Sequence, residues 1–121
     1  MSLEFSMLNI LPDEIRTLRE KFLSLTGEME LVNIQIKSWE SAEMSYISSE
    51  LDDKGKPAFS NAEKRQAELE RRKSHDKDIC RLENLYESTK KELELLRIEL
   101  QYKHDIQENL RALSRVEGGQ V

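Results

Sequence analysis

The stretch LNILPDEIRTLREKFLSLTGEMELVNIQIKSW, Leu8–Trp39, decides the fold. Every third or fourth residue from Leu8 gives Leu8, Leu11, Ile15, Leu18, Phe22, Leu25, Met29, Val32, Ile36 and Trp39. The spacing alternates three and four without a break, and every position is apolar. This is the seam of a heptad helix, which needs a facing helix to bury it. Pro12 is expected in the first turn, where its missing N–H costs no hydrogen bond. Asp13 and Glu14 put negative charge near the positive end of the helix. Gly27 is expected on the outer face, where it costs about 1 kcal/mol relative to Ala. After Trp39 the seam passes to Glu43, Tyr46 and Glu50, while Met44, Ile47 and Leu51 form a shifted apolar set. The pattern predicts a register slip and a first helix over about 9–51.

Working outward, Ser60-Asn61-Ala62-Glu63 fits a capping box, with the Ser60 hydroxyl on the Glu63 amide and the Glu63 carboxylate reaching back. A turn over 52–60 and an unbroken second helix over about 61–116 follow, ending at Gly118 and Gly119. Ile79, Leu82, Tyr86, Leu93, Leu96 and Leu100 continue one seam, with Thr89 filling its gap. Leu95, Ile98, Tyr102, Ile106, Leu110 and Leu113 form a second stripe. At about 100° per residue the two stripes point in roughly opposite directions around residues 93–102.

Folding the chain at the turn sets Ile36 near Arg72 to Ile79 and Leu11 near Leu100. The apolar parts of both seams then coincide. The expected fold is all-α: a long antiparallel two-helix coiled-coil hairpin forming a single domain over 1–121. One facing helix covers only one side of the second helix. The second stripe is therefore the expected interface of a homodimer, and two hairpins make a helical bundle.

Composition agrees with long helices. Charged residues make up 36% and aromatic residues 6% of the 121, which suits either a disordered or a long-helix chain, and the periodicity selects the second. The net charge of −5 argues against a general nucleic-acid binder. A single cysteine, Cys80, makes no internal disulfide, so a reducing cytoplasm is expected. No apolar run approaches a membrane span, and no secretory signal is expected.

The charge is uneven. Residues 54–77 hold eight basic and four acidic side chains, so this stretch is +4 and the rest of the chain is −9. Lys54, Lys56, Lys64, Arg65, Arg71, Arg72 and Lys73, with Phe59 among them, are the candidate contacts at the tip. Two readings compete. The cations contact an anion or nucleic-acid phosphates, or they form a solvated surface with pairs such as Glu68 to Arg72. Phe59 is likewise either a plug on Tyr46, Ile47 or Leu51 or an exposed aromatic contact.

Signals for chemistry are weak. His75, Asp78 and Cys80 are ligand-type residues, but His75 and Asp78 share a helix face and Cys80 points elsewhere. His104 reads as polar surface. No phosphate loop, nucleophile elbow or metal motif appears. No catalytic residue, cofactor or metal is expected.

Asp53–Arg65 (DKGKPAFSNAEKR), followed by Glu68-Leu69-Glu70 and Arg71-Arg72, resembles the bend of small uncharacterised coiled-coil proteins of bacterial and phage genomes. In these, a polar helix leads into a GKP-x-[FY]-SN-x-x-x-R bend and a second helix. The family has no established activity. The resemblance implies a hairpin and no catalytic residue.

The expected function is a non-catalytic structural or adaptor protein acting through self-association and contact with another protein. The alternatives are a nucleic-acid accessory protein using the basic tip, or an inhibitor or regulator of a larger bacterial or phage enzyme.

Overall fold

The computed structural model describes the backbone of residues 3–118 and the side chains of residues 10–117. The described residues are all-α and 88% helical, with three helices and no strand among them. Helix α1 spans Leu3–Ser49, α2 Ala62–His75 and α3 Lys77–Gly118.

No described residue of the α1 seam is exposed. Leu11, Ile15, Val32 and Ile36 are buried, and Leu18, Phe22, Leu25, Met29 and Trp39 are half-buried. Leu8, the first seam position, lies outside the described side chains. The register slip is real: Ile47 is fully buried, Met44 is half-buried, and Tyr46 is exposed. Leu51, the third residue of the shifted set, is exposed, because α1 stops at Ser49 instead of about 51. Pro12 is also displaced from expectation. The helix begins at Leu3, not near residue 9, so Pro12 lies in its interior and not in its first turn. An interior proline forfeits one helical hydrogen bond and crowds the preceding turn, at about 3 kcal/mol.

The expected single second helix is two helices. Asp76 separates them with an extended backbone, φ −98° and ψ 112°. Its Oδ1 accepts from the backbone N–H groups of Asp78 and Ile79, both at 3.0 Å, so Asp76 caps the start of α3. Its own N–H donates to the Lys73 carbonyl at 3.2 Å, and the Cys80 thiol donates to the same carbonyl at 3.3 Å. The break thereby leaves few helix-end groups unpartnered. Arg72, Lys73 and His75 occupy the last turn of α2, where cations suit the negative helix end.

The start of α2 is corrected too. Asn61 is the cap, extended at φ −139° and ψ 169°, and its Oδ1 accepts from the Lys64 N–H at 2.8 Å. Ser60 sits one residue too early: from Asn61, the N–H three residues on is that of Lys64, not Glu63. At the far end α3 runs through Gly118, and Gly119 lies outside the described residues.

Contacts cluster in two compact units. Glu28–Ser88 form one. There Val32, Ile36 and Ile79 make a buried core, with Trp39, Leu82 and Tyr86 packed against it. Ile47 and Leu69 are also buried in this unit. The residues up to Gly27 and from Thr89 onward form the other. Among the described residues, Leu11, Ile15, Thr89, Leu93, Leu96, Gln107 and Leu110 are buried there. Thr89, Leu93, Leu96, Leu100, Lys103, Gln107 and Leu110 keep the three-four spacing, so the inner seam of α3 continues through polar side chains. Lys103 Nζ meets Glu14 Oε2 at 2.8 Å, and Lys21 Nζ lies 3.7 Å from Glu92.

Candidate interaction surfaces

The turn between α1 and α2 is built by Asp52 and Gly55. Gly55 N–H donates to the Asp52 carbonyl at 3.0 Å, and Asp52 N–H donates to the Lys56 carbonyl at 2.7 Å. Asp52 Oδ1 accepts from the N–H groups of Lys54 at 2.9 Å and Lys56 at 3.0 Å. Gly55 has φ +75°, a left-handed conformation that favours glycine. This is the pattern of a three-residue loop closed by a left-handed glycine. Leu51 and Pro57 form an isolated antiparallel bridge beyond it, and Ala58 N–H donates to the Glu50 carbonyl at 2.9 Å. Phe59 is half-buried. Of its three expected partners, Tyr46 and Leu51 are exposed and only Ile47 is buried.

The basic side chains near this turn divide into two groups. Arg72 reaches Glu50 at 2.6 Å, Glu68 at 2.9 Å and Glu43 at 3.3 Å. Lys73 lies between Glu40 at 3.5 Å, Glu83 at 3.6 Å and Glu70 at 3.8 Å. Arg71 forms a two-pronged bond to Glu68, at 2.6 and 3.0 Å. Arg65 Nη1 donates to the Phe59 carbonyl at 3.4 Å. Lys54, Lys56 and Lys64 are exposed and make no ion pair among the described residues.

Three of the expected tip cations are thus committed to carboxylates of the same chain. The titration behaviour follows. Hydrogen bonds from Arg71, then from Arg72, hold the Glu68 carboxyl down at about 2. Bonds from Glu68 and then Glu50 raise the Arg72 guanidinium. For Lys73, burial pulls the ammonium down, but Glu40, Glu83 and Glu70 outweigh it and the net shift is upward. Glu83 Oε1 is buried without a hydrogen bond, with Lys73 Nζ as its ionic neighbour.

The ligand-type residues near the break have local roles. His75 Nδ1 lies 2.7 Å from the Arg71 carbonyl, Asp78 pairs with Arg81, and Cys80 is half-buried on the Lys73 carbonyl. Among the described residues no three His, Cys, Asp or Glu converge to hold a metal ion. His104 is exposed. In the other unit, an open groove of about 460 Å³ is lined by Ile10, Asp13, Glu14, Leu18 and Lys103, and its lysine is already paired with Glu14. No described helix is long and apolar enough to cross a membrane.

The outer face of α3 is the second surface. Leu95 is 68%, Ile98 58% and Tyr102 65% exposed, whereas Leu93 and Leu96 beside them are buried. Ile106 is half-buried and Leu113 is exposed. Leu110, expected on this face, is buried on the inner seam, since it lies three residues beyond Gln107 and seven beyond Lys103 in that row. Sequence reasoning missed Leu23, Leu31 and Ile34 of α1, which are exposed although they interleave with the seam. The three-residue step from Leu31 to Ile34 was the available signal.

No protein-family model, curated protein or solved structure matches this chain.

Proposed function

We propose that the chain is a non-catalytic structural or adaptor protein of a reducing, cytoplasmic setting. It acts as an antiparallel helical hairpin, jointed at Asp76, that pairs with a second copy and presents its remaining surface to another protein. The observation that carries this reading is the exposure of Leu95, Ile98 and Tyr102 in one short span of α3. Apolar surface gains about 25 cal/mol per Å² on leaving water, and contiguous exposed apolar patches mark interfaces. The antiparallel arrangement is supported by the pairings within each unit: Glu14 with Lys103 and Lys21 with Glu92 in one, Glu40 with Lys73 and Glu43 with Arg72 in the other. In both, the later residue of α1 takes the earlier partner.

The nucleic-acid alternative is weakened by the turn region itself. Arg71, Arg72 and Lys73 face carboxylates of the chain, and phosphate binding would have to break those pairs. The test is the doubly substituted Ile98→Glu/Tyr102→Glu chain in light scattering. Its mass should fall to that of one chain while its helical circular dichroism is retained. An unchanged mass contradicts the reading. Duplex DNA binding that disappears on reversing Lys54, Lys56 and Lys64 to Glu would favour the alternative.

A further inference from the structure

We infer that the second copy docks antiparallel on α3, about a two-fold axis at Ile98, with Lys91 of each chain against Asp105 of the other. The inference rests on the proposed self-association and fixes its geometry. Residues seven apart on a helix point in nearly the same direction, drifting by about 20°. Lys91, Ile98 and Asp105 therefore form one line along the outer face. All three are exposed. The line is basic at one end, apolar at its centre and acidic at the other end.

Neither Lys91 nor Asp105 forms an ion pair among the described residues; the ion pairs of this unit involve Glu14, Lys21, Glu92, Glu94, Arg97, Lys103, Glu108 and Arg111 among others. Asp105 Oδ1 accepts only an exposed bond from Gln101 Nε2 at 2.9 Å.

A parallel pair in register would stack Lys91 on Lys91 and Asp105 on Asp105. An antiparallel pair centred on Ile98 sets each lysine against an aspartate. Like charges in apposition are costly, so charge selects the second arrangement. The apolar flank makes the same choice. At about 100° per residue, Leu95 and Tyr102 fall on one side of the Lys91–Ile98–Asp105 line, and Glu94 and Gln101 fall on the other. A two-fold perpendicular to both helices brings like flanks together, so Leu95 and Tyr102 of both copies meet. A parallel two-fold would set each against Glu94 and Gln101. An isologous contact of this kind closes at two chains.

The test is cysteine cross-linking in a Cys80→Ser background with a short bis-maleimide. Lys91→Cys/Asp105→Cys together should give a covalent dimer, as should Ile98→Cys alone. Lys91→Cys alone and Asp105→Cys alone should not. Charge reversal supplies a second readout. Lys91→Glu and Asp105→Lys should each weaken association about tenfold, and the double variant should return to within about twofold of the parent. Efficient cross-linking by either single variant, with association intact, overturns the antiparallel geometry alone. A parent chain that stays monomeric throughout overturns the self-association on which it rests.

Discussion

Gly55 and Asp52 carry the turn between α1 and α2. Gly55→Ala forces a side chain into φ +75° and should destabilise by about 1 kcal/mol in a thermal melt. No neighbour lies within 4 Å of the added Cβ, so the cost is conformational and not steric. Glu68 gives a pH signature. Its folded carboxyl titrates at about 2 against an ordinary 4.5, so the unfolded chain binds its proton more readily. The stabilisation is complete above about 4.5 and is lost as pH falls toward 2. Glu68→Gln should flatten the fall in melting temperature across that window, and a variant with the parent's slope would contradict the Arg71–Glu68–Arg72 network. At this scale the sequence was informative where backbone chemistry is local. Gly55 in a turn was readable from the residue type, and the Glu68–Arg72 pair from its spacing. The long-range partners of Arg72 and Lys73 were not readable. Glu40 and Glu43 come from α1, Glu50 lies just past its end and Glu83 is on α3, and a count of charges in one stretch cannot see them.

Helices record their own limits in different ways. The α1 seam was legible because ten apolar positions at one spacing have a single physical reading. The slip to Ile47 was legible for the same reason. The joint at Asp76 is hidden in the sequence because apolar spacing resumes at Ile79. Its signal was present, in an aspartate with Asp78 in the following turn. Asp76→Ala removes the acceptor of two N–H groups and should cost about 1 kcal/mol by thermal denaturation. A rise in stability would mean that a continuous helix is the better state and that Asp76 imposes the break. Gly27→Ala works in the opposite direction. The new methyl group meets nothing within 4 Å, so the gain in helix propensity of about 1 kcal/mol should appear undiminished.

For the whole molecule, the sequence located an unpaired apolar side on α3 but drew it too wide. Leu110 belongs inside, because the inner seam runs on through Lys103 and Gln107, where residue type alone signals surface. What is left exposed on that face is Leu95, Ile98 and Tyr102, with Leu113 further along, and Lys91 and Asp105 beside Ile98 form no ion pair among the described residues. Contiguous exposed apolar side chains on one helix face favour a covering partner. The proposed pairing of two chains would cover this face. Sedimentation equilibrium of the unmodified chain at micromolar to tens of micromolar concentration tests it most directly. The expected mass is twice 14.2 kDa, falling to 14.2 kDa for Ile98→Glu. A mass of 14.2 kDa for the unmodified chain at every concentration would contradict the pairing.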